Sequence, residues 1–225
     1  NNGGSGIQIV TEAAPIIEGN QCIGNGAHGV RLSGATLAKL HGNTCQGNKR
    51  AGISCNDAAQ PELRGNQCLQ NGLSGIQIKN DCKPVLESNR CVENKASGIS
   101  FTDAAMGVVA DNECEENAHC GIALADKARP GLAGNRCHRN GQHGIGYAGA
   151  AGGTVRESKC YSNSGCGINL EGEADPNIED NECSGNQGHG VCVASTVGKM
   201  RLRGTHGKDN RGELVRDFRK KGWFG

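Results

Sequence analysis

The sequence predicts an all-β fold, a parallel β-helix of about nine turns. Three observations predict it: an unbroken 23-residue repeat, two apolar residues at strand spacing in each repeat, and complete columns of asparagine and cysteine. The chain has 225 residues with 37 glycines and only 3% aromatic residues, so large rings cannot fill its interior. A small, repetitive core fits that composition.

The repeat aligns on the glycine of each Gly-Ile or Gly-Val pair: Gly6, Gly29, Gly52, Gly75, Gly98, Gly121, Gly144, Gly167 and Gly190. Each step is 23 residues. The next residue is always Ile or Val, from Ile7 to Val191. Two positions on lies a mostly apolar residue, from Ile9 through Phe101 and Tyr147 to Val193. This is the period-two alternation of a strand. A third apolar column runs from Ile17 to Ile178. The fourth is cysteine: Cys22, Cys45, Cys68, Cys91, Cys114, Cys137, Cys160 and Cys183. Asparagine fills Asn25, Asn48, Asn71, Asn94, Asn117, Asn140, Asn163 and Asn186. A second asparagine column, Asn20 to Asn181, is broken only by Ser158.

A period of this length suits either a leucine-rich repeat or a β-helix. The leucine-rich repeat needs an L-x-x-L-x-L run, which this leucine-poor chain lacks. In a parallel β-helix three short strands make each turn. Equivalent residues stack at roughly 4.8 Å, giving a rod roughly 40 Å long. Stacked asparagines then bond their amides from turn to turn, as in cross-β ladders. The anchoring glycine is expected to supply a positive-φ corner.

The pattern, near N-x-C-x-x-N-x-x-x-G-I-x-I…A-x-P-x-I-x-x-N, resembles the right-handed parallel β-helix repeats of the carbohydrate-binding and sugar-hydrolase type. It is most similar to the 23-residue form in F-box-protein β-helices and bacterial relatives. The resemblance spans Asn2 to about Arg203 and implies a right-handed helix over residues 1–203. It says little about function, because such scaffolds carry epimerases, lyases, hydrolases and binders alike.

After Val193 the register is expected to fail: Met200 and Leu202 fall beside the apolar slot, and Asn210 is one residue late. Residues 204–225 read as a capping segment. Leu214, Val215 and Phe218 suggest a short amphipathic helix there, with Trp223 and Phe224 closing a lid. From Lys199 onward nine Lys/Arg face three Asp/Glu, although the whole chain carries a net charge of only +1. This basic run reads as the solvated face of the cap. It lacks the interleaved aromatics of a nucleic-acid surface. No run of about 18 apolar residues spans a membrane. Asn2 already lies on the asparagine column, so a monomeric domain within a longer polypeptide is expected, with further turns upstream.

The cysteine column reads as core, since a buried thiol behaves as a small hydrophobe. Disulfides along the column are not expected, because stacked Cβ atoms stay nearly a strand spacing apart. Free thiols then favour a reducing, cytoplasmic compartment, with an extracellular one left open. The slot before the anchoring glycine becomes Cys120, His143, Cys166 and His189 on successive turns. These are zinc-type ligands, but in a straight column they span about three turn spacings, too far for one tetrahedral ion. No cofactor is expected; zinc at this column and calcium at an acidic one are the alternatives.

The acidic column follows the first strand of each turn and includes Asp57, Asn80, Asp103 and Asp126. Asp103 and Asp126 should stack near the roughly 5–5.5 Å of a retaining glycosidase pair. With Lys79 they are the catalytic candidates. They also compete with a plain turn reading, since Asp and Asn bond nearby backbone. Arg31, Gln77, Asp57 and Asn80 are the ligand-binding candidates. The Asp-Pro-His signature of alginate epimerases is absent; the nearest match is "DPN" at Asp175–Asn177. No outward column is Thr-rich, which argues against ice binding. The expectation is a non-catalytic module whose rigid surface recognises a carbohydrate or protein. The alternative is a carbohydrate-active enzyme: a polysaccharide lyase, epimerase or hydrolase.

Overall fold

The computed structural model describes residues 1–219. Among these there are strands and turns but no helix. Every strand is three residues long, and strands one turn apart pair in parallel. Three sheets result. Sheet A stacks ten strands, from Ile7–Ile9 to Val215–Asp217. Sheet B stacks nine, from Ile16–Glu18 to Arg201–Arg203. Sheet C stacks eight, from Gln21–Ile23 to Glu182–Ser184. Pairs such as Ile53↔Ile76 and Cys91↔Cys114 keep each sequence column in one spatial row.

The inward rows are those of the repeat. Leu40, Leu63 and Leu86 from sheet B meet Cys45, Cys68 and Cys91 from sheet C and Ile53, Ile76 and Ile99 from sheet A, all fully buried. Phe101 and Tyr147 are the largest side chains inside. All eight cysteines of the column are free.

Asparagine closes the bends. The Asn71 amide donates to the Cys45 carbonyl (3.0 Å) and to Asn94 Oδ1 (3.0 Å). Its own Oδ1 accepts the Asn48 backbone N–H (3.1 Å) and the Asn48 amide (2.9 Å). The second ladder, Asn43 to Asn135, repeats this geometry. At its break the Ser158 hydroxyl still accepts the Asn135 N–H (3.2 Å).

The anchoring glycines do not serve as expected. None has a positive φ. A Cβ on Gly52 would instead lie 2.7 Å from the Gly75 carbonyl oxygen and 2.9 Å from Asn71 Nδ2. Close approach of the asparagine ladder demands glycine there. Positive φ falls one or two residues beyond the strands, at positions such as Gly65, Gln70 and Asp103.

The C-terminal expectations need correcting. The register survives with one extra residue: Leu202 pairs with Ile178, and Asn210 Oδ1 accepts both the Asn186 N–H and its amide. The insertion is absorbed in the turn 194–200. Leu214, Val215 and Phe218 do not form a helix. Val215–Asp217 is a strand on Val191–Val193, with Leu214 opposite Gly190. The open edge of Val191–Val193 offers unpaired backbone groups, and so short an isolated helix is marginal. Trp223 and Phe224 lie outside the described residues.

Replacing Asn71 by Ala removes four buried hydrogen bonds and leaves donors and acceptors unpaired. Stability should fall by at least about 3 kcal/mol. A lowered urea midpoint at unchanged slope checks this.

Candidate ligand-binding face

Sheet A is the face on which chemistry can gather, because its outward residues alternate with the core columns and the turns on either side add a second and third row. Its N-terminal half is basic. His28 is 7% exposed, and its Nδ1 has no hydrogen-bond partner among the described residues. Burial, then Arg50, Arg31 and Lys79, lowers its pKa from 6.5 to about 4. The positive fields of Arg50, Arg31 and Lys79 thus all act on one neutral imidazole. Gln77 and Ser100 continue the Arg31 row, half-buried, and the Ser100 hydroxyl lacks a partner among the described residues.

The C-terminal half holds a shallow cleft of about 530 Å³. Its floor is Ala123, Gly146 and Ala148, and its rims carry Cys120, Gln142, His143, Asn169 and Glu171. Gly146 sets the depth, since a Cβ there would stand 2.9 Å from Cys120 Sγ. Asn169 Nδ2 donates to Glu171 Oε1 (2.9 Å), holding the carboxylate over the cleft. His143 Nδ1 accepts the Cys166 backbone N–H (2.9 Å). Its proton therefore sits on Nε2. Burial lowers the His143 pKa against the opposing pull of Glu171, so the ring is neutral. Burial raises the Cys120 pKa, which keeps it a thiol rather than a nucleophilic thiolate. Glu171 and Lys79 share one column four turns apart, roughly 19 Å by strand spacing.

The acidic column is a structural ladder. Asp126 Oδ2 accepts the Asp103 N–H (3.0 Å), Asp103 Oδ2 the Asn80 N–H (2.9 Å), Asn80 Oδ1 the Asp57 N–H (3.1 Å), and Asp57 Oδ2 the Gly34 N–H (2.9 Å). All four sit at φ 58–63°, where Asp and Asn are better tolerated than most residues. Their oxygens thus serve the turn. Of the ligand and catalytic candidates, Arg31 and Lys79 both act electrostatically on the buried His28. It leaves Asp103 and Asp126 outside the cleft.

The Cys/His column does not converge either. Cys166 is disulfide-bonded to Cys192, with a Cα–Cα distance of 6.2 Å. Along a column thiols stay apart, but this bond runs diagonally, from the turn of one repeat to the strand centre of the next. His189 Nδ1 is occupied by the Glu213 N–H (2.9 Å), as His143 Nδ1 is by Cys166.

A family model described as the right handed beta helix region matches residues 1–130 and 106–215. The chain belongs to the right-handed β-helix family. Similar solved structures include the periplasmic alginate epimerase AlgG, 20% identical with a TM-score of 0.74 over 80% of this chain and 47% of that one. A further one is the A-module of the mannuronan C-5 epimerase AlgE4 of Azotobacter vinelandii, 12% identical with a TM-score of 0.59 over 94% of this chain and 82% of that one. These likenesses show the shared fold. The β-helix described here spans about half the length of AlgG. No curated protein matches the sequence.

Two measurements check the face. Because the His28 pKa is lowered, the unfolded chain takes up its proton first. That part of the stability is full above 6.5 and is lost as pH falls toward about 4. His28→Gln should flatten the loss over that window, and the His28 ring signals should titrate near 4 by NMR. Denatured without reductant, the chain should expose 11 alkylatable thiols, and with reductant all 13.

Proposed function

We propose that the chain is a carbohydrate-recognition module whose sheet A face holds an extended anionic polysaccharide without transforming it. The observation that carries this reading is the combined positive field of Arg50, Arg31 and Lys79 on a neutral, buried His28. Gln77 and Ser100, half-buried in the Arg31 column, add polar side chains suited to a hydroxyl-rich ligand. The cleft then takes a sugar unit further along, with Gln142, Asn169 and the His143 Nε2–H as hydrogen-bonding groups. Alginate and mannuronan, from which the AlgG and AlgE4 neighbours take their names, are extended anionic polymers of this kind.

The lining of the cleft favours a non-catalytic role. Epimerisation or elimination needs a base, an acid and a group that neutralises the sugar carboxylate. Glu171 and His143 supply a carboxylate and a neutral ring, but no Lys or Arg lines the cleft among the described residues. The Cys166–Cys192 disulfide supports an oxidising compartment, against the cytoplasmic expectation. The periplasmic placement in the name of the AlgG neighbour points the same way.

Calorimetry with polyuronate oligosaccharides tests the reading. Arg31→Ala/Arg50→Ala should weaken binding at least tenfold, and binding should fall with salt as exposed charge pairs are screened. A neutral β-glucan should not bind. Product formation detected by NMR of the incubated oligosaccharide would favour the enzyme instead.

A further inference from the structure

A second constellation lies on the other side of the rod. On sheet C, Glu113 and Glu115 occupy alternate positions of the strand Glu113–Glu115 and so project from the same face. His138, on the next strand, pairs directly with Glu115. Tyr161, one strand further, pairs with His138 and stacks flat on its ring, with centroids 4.6 Å apart and planes 9° apart. The stack leaves His138 only 4% exposed. Its Nδ1 has no hydrogen-bond partner among the described residues.

Both ring nitrogens face carboxylates. Nε2 lies 3.4 Å from Glu113 Oε1, and Nδ1 lies 3.9 Å from Glu115 Oε1. One donor atom from each of the three residues falls within 4.8 Å of the others. Two ligands held at about 2.0–2.1 Å on a tetrahedral ion stand about 3.3 Å apart. The His138 Nε2–Glu113 Oε1 separation is already that distance.

We propose that Glu113, Glu115 and His138 form a binding site for a divalent first-row transition ion, with zinc the best match to one imidazole and two carboxylates. Nitrogen and oxygen ligands of this kind suit zinc, and three protein ligands leave a fourth position for water. Two cations already engage the acids. Arg90 bonds Glu115 Oε2 (2.8 Å) and Glu113 Oε2 (3.2 Å), and Arg139 pairs with Glu115 Oε1 and with Glu116 (2.9 Å). The ion must displace Arg139 from Glu115. Arg139 therefore limits the affinity, and the site fills when metal is abundant.

The test is titration of the chelator-treated full chain, with Zn²⁺ by calorimetry and with Co²⁺ by visible absorption. One saturable equivalent is expected, with a Co²⁺ d–d spectrum of nitrogen and oxygen ligation. His138→Ala and Glu113→Gln should each weaken uptake tenfold or more, and Arg139→Gln should strengthen it. Glu113→Gln decides the matter if loss of the His138–Tyr161 stack unfolds the first variant. No saturable uptake at millimolar Zn²⁺ would overturn the proposal. So would uptake unchanged in Glu113→Gln, or a strong near-ultraviolet thiolate band placing the metal on cysteine.

Discussion

The asparagine ladder at the bends is the interaction on which the rest of the molecule depends. A turn of three short strands must bend three times, and each bend exposes backbone groups that sheet pairing cannot reach. At the bend after sheet C, one carboxamide bonds the turn on each side and a carbonyl besides, as Asn71 does with Asn48, Asn94 and Cys45. This works only when successive asparagines stand one strand spacing apart. The ladder therefore fixes the register at the bend, and an extra residue has to be taken up elsewhere in the turn, as in 194–200. It also forces glycine at the anchor, because a Cβ on Gly52 would strike the Asn71 amide. Small core residues follow: the cysteines lie against the anchor glycines, and Cys68 Cβ would stand 3.0 Å from a Cβ on Gly52.

Constant turn length converts sequence columns into surface rows, and function is written on those rows. On sheet A the rows are mostly small, so a few charged side chains dominate. Arg31, Arg50 and Lys79 make one end positive, and Glu171 with Asn169 makes the other end polar. On sheet C the same stacking lines up opposite charges across strands, as in Arg90–Glu113 and Lys159–Glu182. Exposed pairs of this kind contribute little stability. Their value lies in favouring one stacking partner over another. Folding of such a rod is nearly one-dimensional, each turn contacting only its neighbours, so a fault in one turn weakens its surroundings most.

The sequence made the fold legible because periodicity is its strongest signal: the step from Gly6 to Gly190 never varies. It was misleading at the C-terminus, where one inserted residue in 194–200 hides the register and leaves Leu214, Val215 and Phe218 with helix-like spacing. An unpaired strand edge outweighed that spacing. The site was less legible. Arg31 and Lys79 were visible as outward cations, but His28 and Arg50 belong to a different part of the repeat. Glu171 carried a signal, being the one carboxylate in its outward column. The Asp103 and Asp126 spacing suggested a catalytic pair, yet each carboxylate is held by a backbone N–H of the turn before it. The Cys166–Cys192 bond is not legible from the columns because it runs diagonally between two of them.

Ladder register, more than general hydrophobic burial, holds the rod together. Deleting one complete turn, Asn71–Glu93, joins Gln70 to Asn94 and restores every column. Deleting Asn71–Val92 removes nearly the same core but leaves one extra residue at the asparagine bend. By circular dichroism the first variant should melt cooperatively at close to the parent temperature, and the second should lose cooperativity and melt well below it. Equal melting of the two variants would contradict the role of the register.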